Sequence, residues 1–93
     1  MASKFQSLVI KEYKKKGYKV LNIIRLSENG FPDLLCIKPG EVDIWIECKE
    51  GSDTLKPLQA FRIDELIKLG KDAFCLHATK GKIYPIDNQQ SNN

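Results

Sequence analysis

Apolar and polar residues change rhythm several times along the chain, and each change marks an element. Between residues 3 and 16 the apolar positions Phe5, Leu8, Val9 and Tyr13 recur at helical spacing. Ser3 can cap that helix, and Gly17 can end it in a left-handed turn. Residues 18–26 (YKVLNIIRL) predict a first strand, apolar at Val20, Leu21, Ile23 and Ile24. Asn22 interrupts this run and predicts a bulge or an inward polar contact. Residues 27–30 (SENG) are a turn cluster.

The stretch 31–51, FPDLLCIKPGEVDIWIECKEG, organises the rest. Pro32 opens a strand where its missing N–H costs least. Leu34, Leu35, Cys36 and Ile37 are a near-continuous apolar run, which predicts a strand covered on both faces. After a turn at Pro39 and Gly40 the second strand alternates instead. Val42, Ile44, Ile46 and Cys48 point one way, while Asp43, Trp45, Glu47 and Lys49 point the other. Glu47 and Lys49 therefore share a face, and the hairpin brings Asp33 to the same end of the sheet. Two acids and a lysine at one place can bind a hard cation and activate water.

Residues 51–54 read as a loop, and 55–69 as a second helix. Asp53 or Thr54 is the expected cap, Pro57 sits in the first turn, and Gly70 is the stop. The helix stripe Leu55, Gln59, Ile63, Leu66 is apolar except for Gln59. A polar residue on a buried stripe needs a partner, and the nearest polar cluster is that of Asp33, Glu47 and Lys49. Residues 73–77 and 82–86 predict two closing strands around a turn at 79–81, with Pro85 marking the last as an edge. Residues 87–93 (DNQQSNN) read as a frayed tail.

Composition changes this picture little. Ninety-three residues predict one domain over 1–93, with its core at about 5–86. No apolar run approaches the roughly 20 residues of a membrane span, and the N-terminus lacks a signal-peptide core. Cys36, Cys48 and Cys75 all fall in apolar runs without a CxxC pair, which predicts buried reduced thiols in a cytosolic protein. His77 is the only histidine and reads as structural. Charge adds more. Residues 1–26 carry a net +6 and the remainder a net −3. A basic segment beside acids suits a protein that grips a polyanion and holds cations, although Lys11 to Lys16 also read as a solvated helix face.

Pro32-Asp33 and Glu47-Cys48-Lys49, with thirteen residues between the two acids, resemble the PD and ExK halves of the PD-(D/E)xK nuclease superfamily. Gly17-Tyr18 before the first strand, the run 30–35 (GFPDLL), Ile46 before the ExK, and the run 55–59 (LKPLQ) extend the likeness. Together they resemble the small VRR-Nuc family, the virus-type replication-repair nucleases, and are similar to archaeal Holliday-junction resolvases. The resemblance covers about residues 5–77.

It implies an α/β (mixed α+β) fold with a restriction-endonuclease-like αβββαβ core, a mixed sheet flanked by helices. It implies an endodeoxyribonuclease dependent on Mg2+ or Mn2+. Asp33, Glu47, Lys49 and Gln59 would be catalytic, with Lys49 orienting the attacking water and Gln59 positioning Lys49 or that water. Asp33, Glu47 and the Cys48 carbonyl would be metal ligands, with Gln6 as a further candidate and Glu12 competing with it by chemistry alone. Glu50 and Asp53 read as helpers of a second cation or as solvated loop acids. Lys11, Lys14, Lys15, Ser27 and Lys56 are the expected DNA contacts. The implied partner is DNA, branched as in a Holliday junction, and the implied assembly a homodimer in a phage or bacterial host cytosol. The rival is a nucleic-acid-binding module on the same fold without chemistry.

Overall fold

The computed structural model describes residues 3–85. Helix α1 (Lys4–Lys15) begins at Ser3, whose Oγ accepts from the Gln6 amide at 3.0 Å. It stops at Gly17, which takes the left-handed φ of 98° that closes a helix. Its buried stripe is narrower than expected. Phe5, Val9 and Tyr13, spaced by four, pack inward with Ile10, whereas Leu8 lies on the flank and is 59% exposed.

Five strands follow in one sheet of order β1-β2-β3-β4-β5. They are β1 (Lys19–Asn22), β2 (Leu34–Ile37), β3 (Ile44–Lys49), β4 (Asp72–His77) and β5 (Gly81–Tyr84), with α2 (Pro57–Lys68) between β3 and β4. The first three pair antiparallel, β3 and β4 pair parallel across the α2 crossover, and β5 closes the edge antiparallel. This is the mixed sheet flanked by helices that the resemblance implies.

Strand β3 alternates as its sequence predicts from Ile44 onward, whereas Val42, expected on the inward side, precedes the strand and is 56% exposed. Ile44, Ile46 and Cys48 join Val9, Leu34, Cys36 and Phe74 on the α1 face. Trp45 joins Ile63, Leu66, Ala73 and Cys75 on the α2 face, with Phe31 beside it. On the same face as Trp45, Glu47 and Lys49 are 3% and 5% exposed.

Four expectations need correction. Strand β1 ends at Asn22 rather than 26, and pairing lapses after the Ile23 amide bonds the Asp33 carbonyl at 2.7 Å. The facing segment is drawn to α2 instead, where Arg62 Nε donates to the Asn29 carbonyl at 2.8 Å. Asn22 marks no bulge. The β1–β2 register is regular, and Asn22 is exposed, its Oδ1 accepting from Gln6 Nε2 at 3.0 Å in a polar contact at the surface rather than an inward one. Strand β2 is fully covered on one face only, since Leu34 and Cys36 are buried while on the other face Leu35 is half-buried and Ile37 is 37% exposed. Helix α2 starts at Pro57, two residues late, because Asp53 is engaged elsewhere and the cap position falls to Lys56. The predicted tail 87–93, and the end of the last predicted strand at residue 86, lie outside the described residues.

Candidate active site

Register explains why Asp33 meets Glu47. Leu34 is paired with Ile46 across the β2–β3 hairpin, so the preceding residue, Asp33, stands opposite Glu47 at the open end of the ladder. Directly opposed residues on one face have their Cβ atoms about 5 Å apart. Asp33 Oδ2 is tied down there by the Cys48 amide at 3.2 Å.

Glu47 is the centre of the cluster. Its Oε2 receives Lys49 Nζ at 3.4 Å and Gln59 Nε2 at 3.4 Å. Its Oε1 is buried and has no hydrogen-bond partner. Burial, and after it the Asp33 carboxylate, push the Glu47 carboxyl up to about 7, while Lys49 pulls the other way. Among the described residues Lys49 is the one buried cation beside the two carboxylates, and Glu47 Oε1 is left without a donor.

Gln59 is fixed from both ends of its amide. Oε1 accepts from the Lys56 backbone N–H at 2.9 Å, as the third helical residue does in a capping box. The other end donates to Glu47. Thus the N-terminus of α2, with its partial positive charge, is coupled to the acid on β3. Gln59 thus finds the polar partner its place on the stripe requires in the Asp33–Glu47–Lys49 cluster, and a second one in the helix backbone.

Lys49 Nζ also approaches Asp53 Oδ2, at 3.5 Å. By sequence Asp53 reads as a helix cap, a helper of a second cation or a solvated loop acid, and this pairing is missed, since a strand end followed by a loop gives no periodic signal. Glu50 is exposed, with its carbonyl accepting from the Asp53 amide. The Cys48 side chain packs on the α1 face, away from the acids. Burial pushes Cys36 and Cys75 up to about 11 and Cys48 up to about 12, so all three free thiols are unreactive. His77 is buried, with Nε2 3.0 Å from the Gly51 carbonyl and Nδ1 accepting from the Thr79 amide at 3.3 Å, a structural role.

Other predicted residues lie further off. Gln6 sits on α1 with its amide nitrogen given to Asn22, next to the β1 end that bonds Asp33. Glu12 is exposed, paired with Lys16 at 4.0 Å, and about 9 Å further along the helix axis. Lys11, Lys14 and Lys15 are exposed on α1, which covers the opposite sheet face, and the last two mark its far end. Lys56 is exposed at the start of α2 beside Gln59, and Ser27 is exposed in the 27–29 bend. Arg62 had no sequence signal. It lies over Phe31 at 5.1 Å and holds Glu28 at 3.5 Å, Glu65 at 3.1 Å and the Asn29 carbonyl, fastening the loop before Asp33.

The donor set fits a hard divalent cation. Asp33 and Glu47 offer anionic oxygen, one atom of it unpartnered, and Mg2+ commonly takes only one or two protein carboxylates. Among the described residues no group of three or more His, Cys, Asp or Glu side chains is placed to hold a metal, so any further protein ligand must be a backbone or amide oxygen.

The arrangement as a whole, a mixed sheet between two helices with the acids at one end of the β2–β3 hairpin, is a restriction-endonuclease-like nuclease fold. No family model and no curated protein matches the sequence. Solved structures do match. A VRR_NUC domain superimposes with a TM-score of 0.67 and 25% identity, over 76% of this chain and 77% of that one. Hjc, a Holliday junction resolvase from the archaeal hyperthermophile Archaeoglobus fulgidus, has a TM-score of 0.57 and 17% identity. This chain, matched over 76% of its residues, spans 64% of that resolvase. The resemblance to the VRR-Nuc family read from the sequence thus holds for the fold.

Proposed function

We propose that the protein is a divalent-cation-dependent endonuclease that hydrolyses phosphodiester bonds in branched DNA. The observation that carries this reading is Glu47, buried beside Asp33 and Lys49 with one oxygen unpartnered and its carboxyl pushed up to about 7. A purely structural strand has no reason to keep that group (a leucine would pack there without penalty).

Asp33, Glu47 and the Cys48 carbonyl would hold Mg2+ or Mn2+, with Gln6 near enough to the β1 end to contribute. Such a cation supplies charge relief at the phosphate and a more acidic water. The chain's own residues do the rest. Lys49, confined between Glu47 and Asp53, aims its ammonium at the developing negative charge and orients the nucleophilic water. Gln59 keeps Glu47 Oε2 in place, which leaves Oε1 as the oxygen turned to the ligand. Lys56 and Ser27 contact the DNA backbone near the site, and Lys11, Lys14 and Lys15 reach it only further along.

One such site cuts one strand. Symmetric resolution of a four-way junction therefore requires a homodimer with paired sites. Buried thiols suit a reducing phage or bacterial cytosol. The test is cleavage of labelled four-way junction, flap and linear duplex in Mg2+, Mn2+ or EDTA, beside Glu47→Gln. Cation-dependent cutting lost in the variant is expected. Binding without cutting under every cation condition would leave the non-catalytic binding module.

A further inference from the structure

Ile24 is 92% exposed, the most exposed of the large hydrophobic side chains described, and Leu26 is 41% exposed two residues on. Arg25 between them is also exposed. Single exposed aliphatics are common and mean little. This one differs in its mounting and its address.

The mounting is tethered at both ends. Before the triplet, the Ile23 amide bonds the Asp33 carbonyl at 2.7 Å. After it, Arg62 takes the Asn29 carbonyl at 2.8 Å and the Glu28 carboxylate at 3.5 Å. Gly30 then lies so close to α2 that a Cβ there would sit 2.6 Å from Leu58 Cγ. Between these ties the loop carries its apolar tip outside the core, with Ile24 in solvent. The address is the carboxylate end of the sheet. Ile23 faces Asp33 across the ladder, so the Ile24 Cα lies within about 9 Å of the Asp33 Cα, or two to three base steps along a strand. The loop's own acid, Glu28, is drawn to Arg62 at 3.5 Å, which Glu65 also shares, and Arg25 stands on the tip of the loop.

We infer that residues 24–26 form a wedge that recognises DNA at a break in base stacking. Ile24 packs on the exposed face of a base pair at the branch, and Arg25 holds the adjacent phosphate. Aliphatic side chains inserted at base steps perform this task in duplex-bending proteins, where a step that is already unstacked is the least costly to enter. The inference deepens the proposed function and rests on its assignment of DNA as the ligand.

Binding is measured first, in EDTA with the full chain, on a four-way junction and a linear duplex with equal arms, each carrying 2-aminopurine at the central step. Cleavage is measured in parallel with Mg2+. Ile24→Ser should lower the junction-to-duplex affinity ratio about tenfold, the worth of roughly one stacked base, with duplex affinity unchanged. It should also abolish the 2-aminopurine signal at the branch. Arg25→Ala should weaken both ligands alike and flatten the salt slope by about one. Ile24 is so exposed that its replacement leaves folding intact, which circular dichroism checks. An unchanged ratio in Ile24→Ser, or no wild-type preference for the junction, overturns the wedge even if the protein cuts DNA. A preference that depends on Ile24 without any cutting keeps the wedge and overturns the nuclease. No DNA binding at all overturns both.

Discussion

The two faces of the sheet are built from the same strands and serve opposite ends. Under α1, Val9, Leu34, Cys36, Ile46 and Phe74 form a cluster with no polar side chain among its buried members. Under α2, Ile63, Leu66, Ala73 and Cys75 share their face with the buried polar side chains Glu47, Lys49 and His77. That face also holds the two buried side-chain atoms without a partner, Trp45 Nε1 and Glu47 Oε1, among the described residues. Strand β3 belongs to both, one residue in two to each. The α1 face is where burial stabilises the fold, and the α2 face keeps buried polar groups at a cost in stability, as the proposed chemistry requires.

Substitutions on opposite faces of β3 should separate these roles. Lys49→Ala removes the ammonium that Glu47 and Asp53 share. Cleavage should fall at least about a hundredfold while DNA affinity stays near wild type, as expected when a preorganised charge is removed. Full activity in this variant would refute the assigned chemistry. Ile46→Ala, on the other face and fully buried, should do the reverse. It should lower unfolding free energy by about 2–5 kcal/mol in urea titrations and leave cleavage per folded molecule unchanged.

The acid face should also betray itself in pH dependence. Glu47 is pushed up to about 7 by burial and by Asp33, whereas an unfolded carboxyl titrates near 4.5. Between these values the folded protein holds a proton that the unfolded chain has released. Stability in EDTA should therefore fall as pH rises from 4.5 through 7, opposite to a salt-bridged acid. Glu47→Gln should flatten the fall, and urea midpoints at about pH 5 and about pH 7.5, on either side of the folded value, measure it. A wild-type midpoint that rises over this range would mean that Glu47 is ionised and well paired in the absence of a cation.

Much of this contrast was legible beforehand because period-two alternation is written directly into residues 44–49, although the pattern also took in Val42, which is exposed before the strand. Gln59 was legible as the one polar residue on an apolar stripe, and its helix N-terminus proved to hold it. What was not legible depends on contacts between distant segments. Ile23 and Ile24 continue the apolar rhythm of β1, yet Arg62, with no pattern of its own, draws the facing chain away. Asp53 and Thr54 are both good caps by type. But Asp53 is engaged by Lys49 and by the Thr54 amide at 3.0 Å, and the helix begins only at Pro57, so the cap position falls to Lys56. The lysine run of α1 was visible as charge but not as position, since a helix face gives no hint of which sheet face it will cover.

Gln59 joins cap to acid, so its replacements can be split. Gln59→Ala removes the hydrogen bonds to both Lys56 and Glu47, and should cost about 1 kcal/mol with cleavage falling about tenfold. Gln59→Glu keeps the acceptor for Lys56 but sets a third carboxylate on Glu47, so it should spare the helix cap and lose more activity than the alanine. Equal activity in the two variants would reduce Gln59 to a cap.

The smallest effect is expected from the lysines that sequence alone made most conspicuous. Lys14 and Lys15 stand in the last turn of α1, about 12 Å along its axis from Gln6 and on the face away from Glu47. A DNA arm can reach them only by running past the site. Replacing both with alanine should therefore weaken binding a fewfold and flatten the salt slope by about one unit for each phosphate no longer neutralised. The cleavage rate at saturating DNA should not change, because nothing at the carboxylates has moved. Titrations at two salt concentrations and single-turnover rates on the same junction separate these quantities. A fall in the saturated rate would put the lysines at the reacting phosphate and break the division between the two faces.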